Sequence, residues 1–203
     1  YINVDGTGTL LVNNSMQLGS FKKANTSTGT SKALLNIGLN YMGGTVVVNG
    51  PITTATSDES DNWSEIVIRS GSLSAKNTIG PLNWLELTAG ALNVTLDSVP
   101  TAPVCAVSNL ITAAGFNLSV SGAGLGIGQY PIIKYWLPLA GGVGADDLVL
   151  SLPFYLEGYL SNNVANSSID VVITNKLTLV WNGNLSDDWD LATLNWKDGT
   201  TGA

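Results

Sequence analysis

The chain contains no histidine, only one cysteine, Cys105, and few charges, 11 % of its 203 residues. Without histidine it lacks the side chain used most often as general base, catalytic-triad relay and zinc ligand, which disfavours three large enzyme classes. Cys105 cannot form an internal disulfide or a multi-cysteine metal site, and it has no histidine to activate it as a nucleophile. It reads as a small buried hydrophobe. Basic residues are also scarce: eight Lys and Arg stand against fifteen Asp and Glu, for a net charge of −7. Lys22–Lys23 is the only local basic feature, too little to exchange for the counterions of a nucleic acid or an anionic membrane. Long hydrophobic runs are missing, because the most apolar stretch, Ile132 to Val143, is broken by Lys134, Pro138 and Gly141–Gly142. Neither nucleic acid nor membrane insertion is expected. No signal-peptide pattern stands at Tyr1, consistent with a removed leader or a start inside a longer protein. Helical spacing of apolar residues is close to absent, as Gly, Asn, Ser and Thr interrupt every few residues.

What is present is material for a core without charge. Hydrophobic residues make up 44 % and mean hydropathy is +0.24, so the chain should fold. Short alternating or β-branched runs recur at Thr9 to Val12, Ala33 to Ile37, Thr45 to Val48, Glu65 to Ile68, Trp84 to Leu87, Ala91 to Leu96 and Asn117 to Val120. They continue at Ile132 to Tyr135, Leu148 to Leu152, Ile169 to Ile173 and Leu177 to Trp181. Each has the length of one strand, and the class is all-β. Several runs open with a glycine, then a small or turn-tolerant residue, then alternation: Gly8-Thr9-Leu10, Gly44-Thr45-Val46, Gly71-Ser72-Leu73, Gly90-Ala91-Leu92 and Gly115-Phe116-Asn117. Returns at roughly 20 to 35 residues suit a solenoid, whereas sandwich turns recur about every 8 to 12. The sequence thus predicts a right-handed parallel β-solenoid, with a β-sandwich or jelly roll as the alternative. Val46, Val48, Leu73, Leu92, Val94, Leu118 and Val120 should share one core face. Asn13, Asn49, Asn77 and Asn93 are expected at corners.

From Gly122 the pattern changes. Gly124-Leu125-Gly126-Ile127-Gly128 lacks the following helix and the lysine of a phosphate loop and reads as a bend or close backbone approach. We divide the chain into solenoid coils over 1–121, closing β coils with longer loops over 122–180, and a Trp-rich start of a following unit or tail over 181–203. Towards that end Leu179-Val180-Trp181-Asn182-Gly183-Asn184, Trp189-Asp190 and Leu194-Asn195-Trp196-Lys197-Asp198-Gly199 follow one another. This succession resembles the opening phrase of bacterial autotransporter-associated β-strand repeats. Tyr130 to Tyr135 and Ser168 to Thr174 resemble the closing segment of the same unit, and the glycine phrases resemble its coils. The resemblance implies a secreted or surface-displayed protein, a stalk, adhesin or extracellular filament, of which this chain is a piece. It implies adjoining repeats of the same chain, or end-to-end self-association, as partners.

Chemistry is harder to place. Carboxylates cluster at Asp58-Glu59-Asp61, Asp146-Asp147 and Asp187-Asp188-Asp190. Facing pairs could hydrolyse glycosides, and close oxygen ligands could hold calcium, for which Asp187, Asp188 and Asp190 are the candidates, without a recognised calcium phrase. A lyase would need a cationic base, but Arg69 is the only arginine and the lysines are scattered. No catalytic residue and no cofactor is assigned. Six tryptophans could stack on sugars; Trp84 has the neighbours of an inward strand residue, and Trp63, beside its polar loop, is the best candidate for carbohydrate stacking. Asn-x-Ser/Thr acceptors occur at Asn13, Asn25, Asn62, Asn93, Asn117, Asn166 and Asn184. The expected function is a non-catalytic structural segment of a bacterial surface protein. The alternative is a carbohydrate-binding or polysaccharide-degrading β-helix, with surface polysaccharide as ligand.

Overall fold

A computed structural model describes residues 1–19, 31–54, 62–137, 144–183, 185–187 and 195–199. The molecule is all-β, with 60 % of residues in strands and 4 % helical. In chain order the first strands are β1 (Ile2–Val4), β2 (Thr9–Val12), β3 (Met16–Leu18), β4 (Ser31–Ile37), β5 (Thr45–Val48) and β6 (Ile52–Thr54). They are followed by β7 (Asn62–Ile68), β8 (Ser72–Lys76), β9 (Ile79–Leu87), β10 (Ala91–Leu96), β11 (Cys105–Thr112) and β12 (Phe116–Gly122). The last are β13 (Gly128–Tyr135), β14 (Leu148–Ser151), β15 (Leu156–Asn163), β16 (Ser168–Lys176), β17 (Leu179–Trp181) and β18 (Trp196–Asp198). Two short 3₁₀ turns, Gly144–Asp147 and Val164–Asn166, are the helical portion of the described residues. No helix among them is long and apolar enough to cross a membrane.

The chain passes back and forth between two sheets. One runs β1-β4-β7-β9-β11-β13-β16-β15, with β3 and β6 attached beside it, and the other runs β14-β12-β10-β8-β5-β2. Every pairing in the second sheet is parallel. The first is parallel from β1 to β13, and then β16 and β15 add antiparallel. Parallel pairs keep equivalent residues side by side, so one alternation repeated in each strand becomes a ladder. In the second sheet Leu10, Val46, Leu73, Leu92, Leu118 and Leu150 stand in register from one edge to the other. Leu35, Ile66, Leu85 and Leu110 do the same in the first sheet. Both sets pack into one cluster. Val46, Val48, Leu73, Leu92, Val94, Leu118 and Val120 are all buried, as their alternation requires. Each buried aliphatic side chain contributes roughly 1.5–3 kcal/mol, which is how a chain this poor in charge holds together.

The glycine phrases mark the starts of second-sheet strands. The N–H of Thr45 donates to Gly8 O at 3.0 Å, Ser72 to Gly44 O at 2.9 Å, Ala91 to Gly71 O at 2.8 Å and Asn117 to Gly90 O at 2.9 Å. Gly44, Gly71 and Gly90 all have positive φ, and a Cβ on Gly71 or Gly90 would meet the carbonyl oxygen of the glycine one rung below at 2.2 or 2.1 Å. Only glycine combines that dihedral with that approach. Gly122 is another close approach, since its Cβ would lie 2.1 Å from Leu96 O.

Two positions differ from the sequence expectation. Asn93 is not at a corner: it lies inside β10 on the outward face, where its Nδ2 donates to Ser74 Oγ at 3.2 Å on the neighbouring rung. Asn13, Asn49 and Asn77 do follow strands β2, β5 and β8. Trp84 is not inward. In β9 the inward residues are Leu85 and Leu87, so alternation turns Trp84 outward and half-buried, in register with Glu65 on β7 and Asn109 on β11.

Candidate functional site

Beside the antiparallel end of the first sheet lies an open cleft of about 850 Å³. Strand β13 lines it with Gln129, Pro131 and Lys134, and β15 and β16 contribute Asn163, Ser168 and Asp170. Asp170 is 3 % exposed. Its Oδ1 accepts from Ser168 Oγ at 2.6 Å, and its Oδ2 accepts from Gln129 Nε2 at 2.7 Å and Asn163 Nδ2 at 2.8 Å. A buried carboxylate is tolerated when hydrogen bonds replace its water, and here three neutral donors do so. The same bonds tie β13, β15 and β16 together and fix both amides. Lys134 Nζ donates to the carbonyl of Asn166. Trp136, directly after β13, is 58 % exposed. Its backbone is nonetheless fixed, as the N–H groups of Trp136 and Leu137 donate to Val107 O and Ser108 O at 3.2 and 2.9 Å.

The residues singled out in the sequence lie elsewhere. Trp63 is half-buried on β7, where its Nε1 donates to Glu65 Oε2 at 3.0 Å and Lys32 Nζ sits 5.4 Å from its ring centroid. It lines a smaller cleft of about 210 Å³ with Pro81 and Asn83. Asp187 is exposed, while Asp188 and Asp190 lie outside the described residues, as do Asp58, Glu59, Asp61, Lys22 and Lys23. Asp146 is exposed and its neighbour Asp147 is buried, accepting from Thr112 Oγ1 at 2.7 Å. Among the described residues no group of three Asp, Glu or Cys side chains is placed to hold a metal ion. Trp181 and Trp196 meet edge to face at 5.4 Å across the β17–β18 pair. Arg69 donates to Glu86 at 2.8 Å, and this bond holds its guanidinium pKa above the ordinary value. Cys105 is fully buried, and desolvation pushes its thiol up to about 12.

The sequence reading missed Trp136 because nothing in Lys134-Tyr135-Trp136-Leu137-Pro138 distinguishes an exposed indole from a core one. The available signal is positional: a tryptophan two residues before a proline stands where the strand must end. No family model, curated protein or solved structure matches this chain.

Proposed function

We propose that this chain winds as a right-handed parallel β-solenoid and serves as a non-catalytic structural segment of a secreted or surface-displayed bacterial repeat protein, a stalk, adhesin or extracellular filament. The observation that carries the reading is the six-rung ladder Leu10, Val46, Leu73, Leu92, Leu118 and Leu150, with the chain visiting the other sheet between rungs. A fold in which each turn pairs only with its neighbours grows by adding turns, the geometry an extended scaffold needs. Right-handedness follows from the general hand of parallel crossover connections. The resemblance to autotransporter-associated repeats favours the surface setting.

Among the described residues of the two large sheets β1, β2, β3, β14 and β15 are paired on one side only. Such edges are covered by adjoining turns of the same chain or by another subunit stacked end to end. Sedimentation velocity and electron microscopy of the isolated chain test this: concentration-dependent linear association is expected, and a sharply monodisperse monomer at high concentration would overturn it. Incubation with uronate-containing and neutral glycans should give no cleavage. Turnover abolished by Asp146→Asn or Asp147→Asn would replace the scaffold reading with the polysaccharide-degrading one.

A further inference from the structure

We propose that the Trp136 cleft binds a neutral pyranose oligosaccharide, with one sugar ring stacked on the indole and the hydroxyls of successive rings along β13 bonded to Lys134 and then to Gln129. This does not rest on the scaffold reading. The first observation is the indole, 58 % exposed on a backbone fixed to β11. Strand-anchored aromatic surface of this kind is not needed by the core, and one face of a pyranose is an array of C–H groups that packs on it. The second is the polar set farther along the same cleft. The Gln129 amide donates to Asp170 through Nε2, leaving its oxygen as an acceptor, and Lys134 uses one of its three N–H donors on Asn166. A sugar hydroxyl both donates and accepts, so it can satisfy each. The third is preorganisation: Asp170, buried and bonded to Gln129, Asn163 and Ser168, holds the wall in place before any ligand arrives.

Charge selects among sugars. Lys134 and Asp170 are the charged residues that line the cleft and they cancel, while the whole chain carries −7. A polyuronate would meet net repulsion and no cationic cluster. The cleft's volume falls within the range of small-ligand sites, roughly 300–1,000 Å³.

Isothermal titration of the intact chain with cellohexaose, mannohexaose and chitohexaose tests the proposal, with hexagalacturonate and hexaproline as contrasts. At least one neutral hexaose should bind. Trp136→Ala should weaken that binding by about tenfold or more, Trp136→Phe by less, and Gln129→Ala by several-fold. Far-UV circular dichroism should be unchanged in each, because the altered side chains lie outside the core. Trp63→Phe should bind as the parent does. The proposal is overturned if no neutral hexaose binds at concentrations up to about 10 mM, if Trp136→Ala binds as tightly as the parent, if Trp63→Phe abolishes binding, or if only hexagalacturonate or hexaproline binds.

Discussion

At Gly71, with φ +94°, an added Cβ would stand 2.2 Å from the Gly44 carbonyl oxygen, the oxygen that Ser72 N–H uses. Gly115 has a similar φ of +86° but open space around the same position. The pair separates two costs that usually come together. Gly115→Ala should lose only the conformational share, about 1–2 kcal/mol, whereas Gly71→Ala must also move backbone and should lose several-fold more or fail to fold; urea unfolding of both variants measures the difference. Leu92, buried at the centre of its ladder, should cost about 2–5 kcal/mol as Leu92→Ala, by the same measurement. Cys105 adds a pH dependence. Its thiol pKa is raised from 9.0 to about 12 in the folded protein, so the unfolded chain releases that proton first. The stability this thiol contributes is therefore complete below pH 9.0 and is lost as pH rises towards 12, at about 1.4 kcal/mol per pH unit. The stability advantage of the parent over Cys105→Ala should shrink above pH 9.0, and thiol reagents should label Cys105 only on unfolding.

At the scale of elements, what could be read in the sequence was whatever repeats along one strand. The starts at Gly8, Gly44, Gly71, Gly90 and Gly115 and the inward set from Val46 to Val120 follow from local pattern alone, because parallel pairing reproduces each strand's alternation in its neighbour. Strand β11 was less legible, since Ser108 and Asn109 interrupt its apolar run, and the course of β15 was faint, because in this edge strand half of the residues are exposed and only Leu156 is buried. The cleft could not be read at all. Gln129, Asn163, Ser168 and Asp170 meet only because β16 reverses direction against β13, and no local spacing records that antiparallel step. That step yields its own prediction. Asp170→Ala leaves buried Ser168 and half-buried Asn163, as well as exposed Gln129, without their acceptor and should cost on the order of 3 kcal/mol, Asp170→Asn less. Hydrogen exchange should rise in β15 and β16 before it rises in β10, which shares none of these bonds.

For the molecule as a whole, the intervals between rungs are uneven while the rungs themselves stay in register: the return from Thr9 to Thr45 is long and that from Ser72 to Ala91 short. Chain length between rungs and spacing of rungs are thus separate quantities, the second set by backbone hydrogen bonds at about 4.8 Å. Insertions at the longer returns should accordingly be tolerated with little change in the urea midpoint, whereas an insertion inside β8 or β10 should shift Leu73 or Leu92 out of the core and unfold the chain. The same arrangement has a mechanical side. Tension applied across the second sheet from β2 towards β14 pulls along the hydrogen bonds rather than across them, so rungs should detach in succession from an end, like a zipper, instead of shearing together. Each detachment frees a different length of chain. The turn joining Ser74 to Asn93, 19 residues apart, would release roughly 65 Å when extended, and the longer return between Thr9 and Thr45 nearly twice as much. Stretched by its ends, the protein would therefore yield in unequal steps, and its force trace would carry the order of its turns as a sequence of lengths.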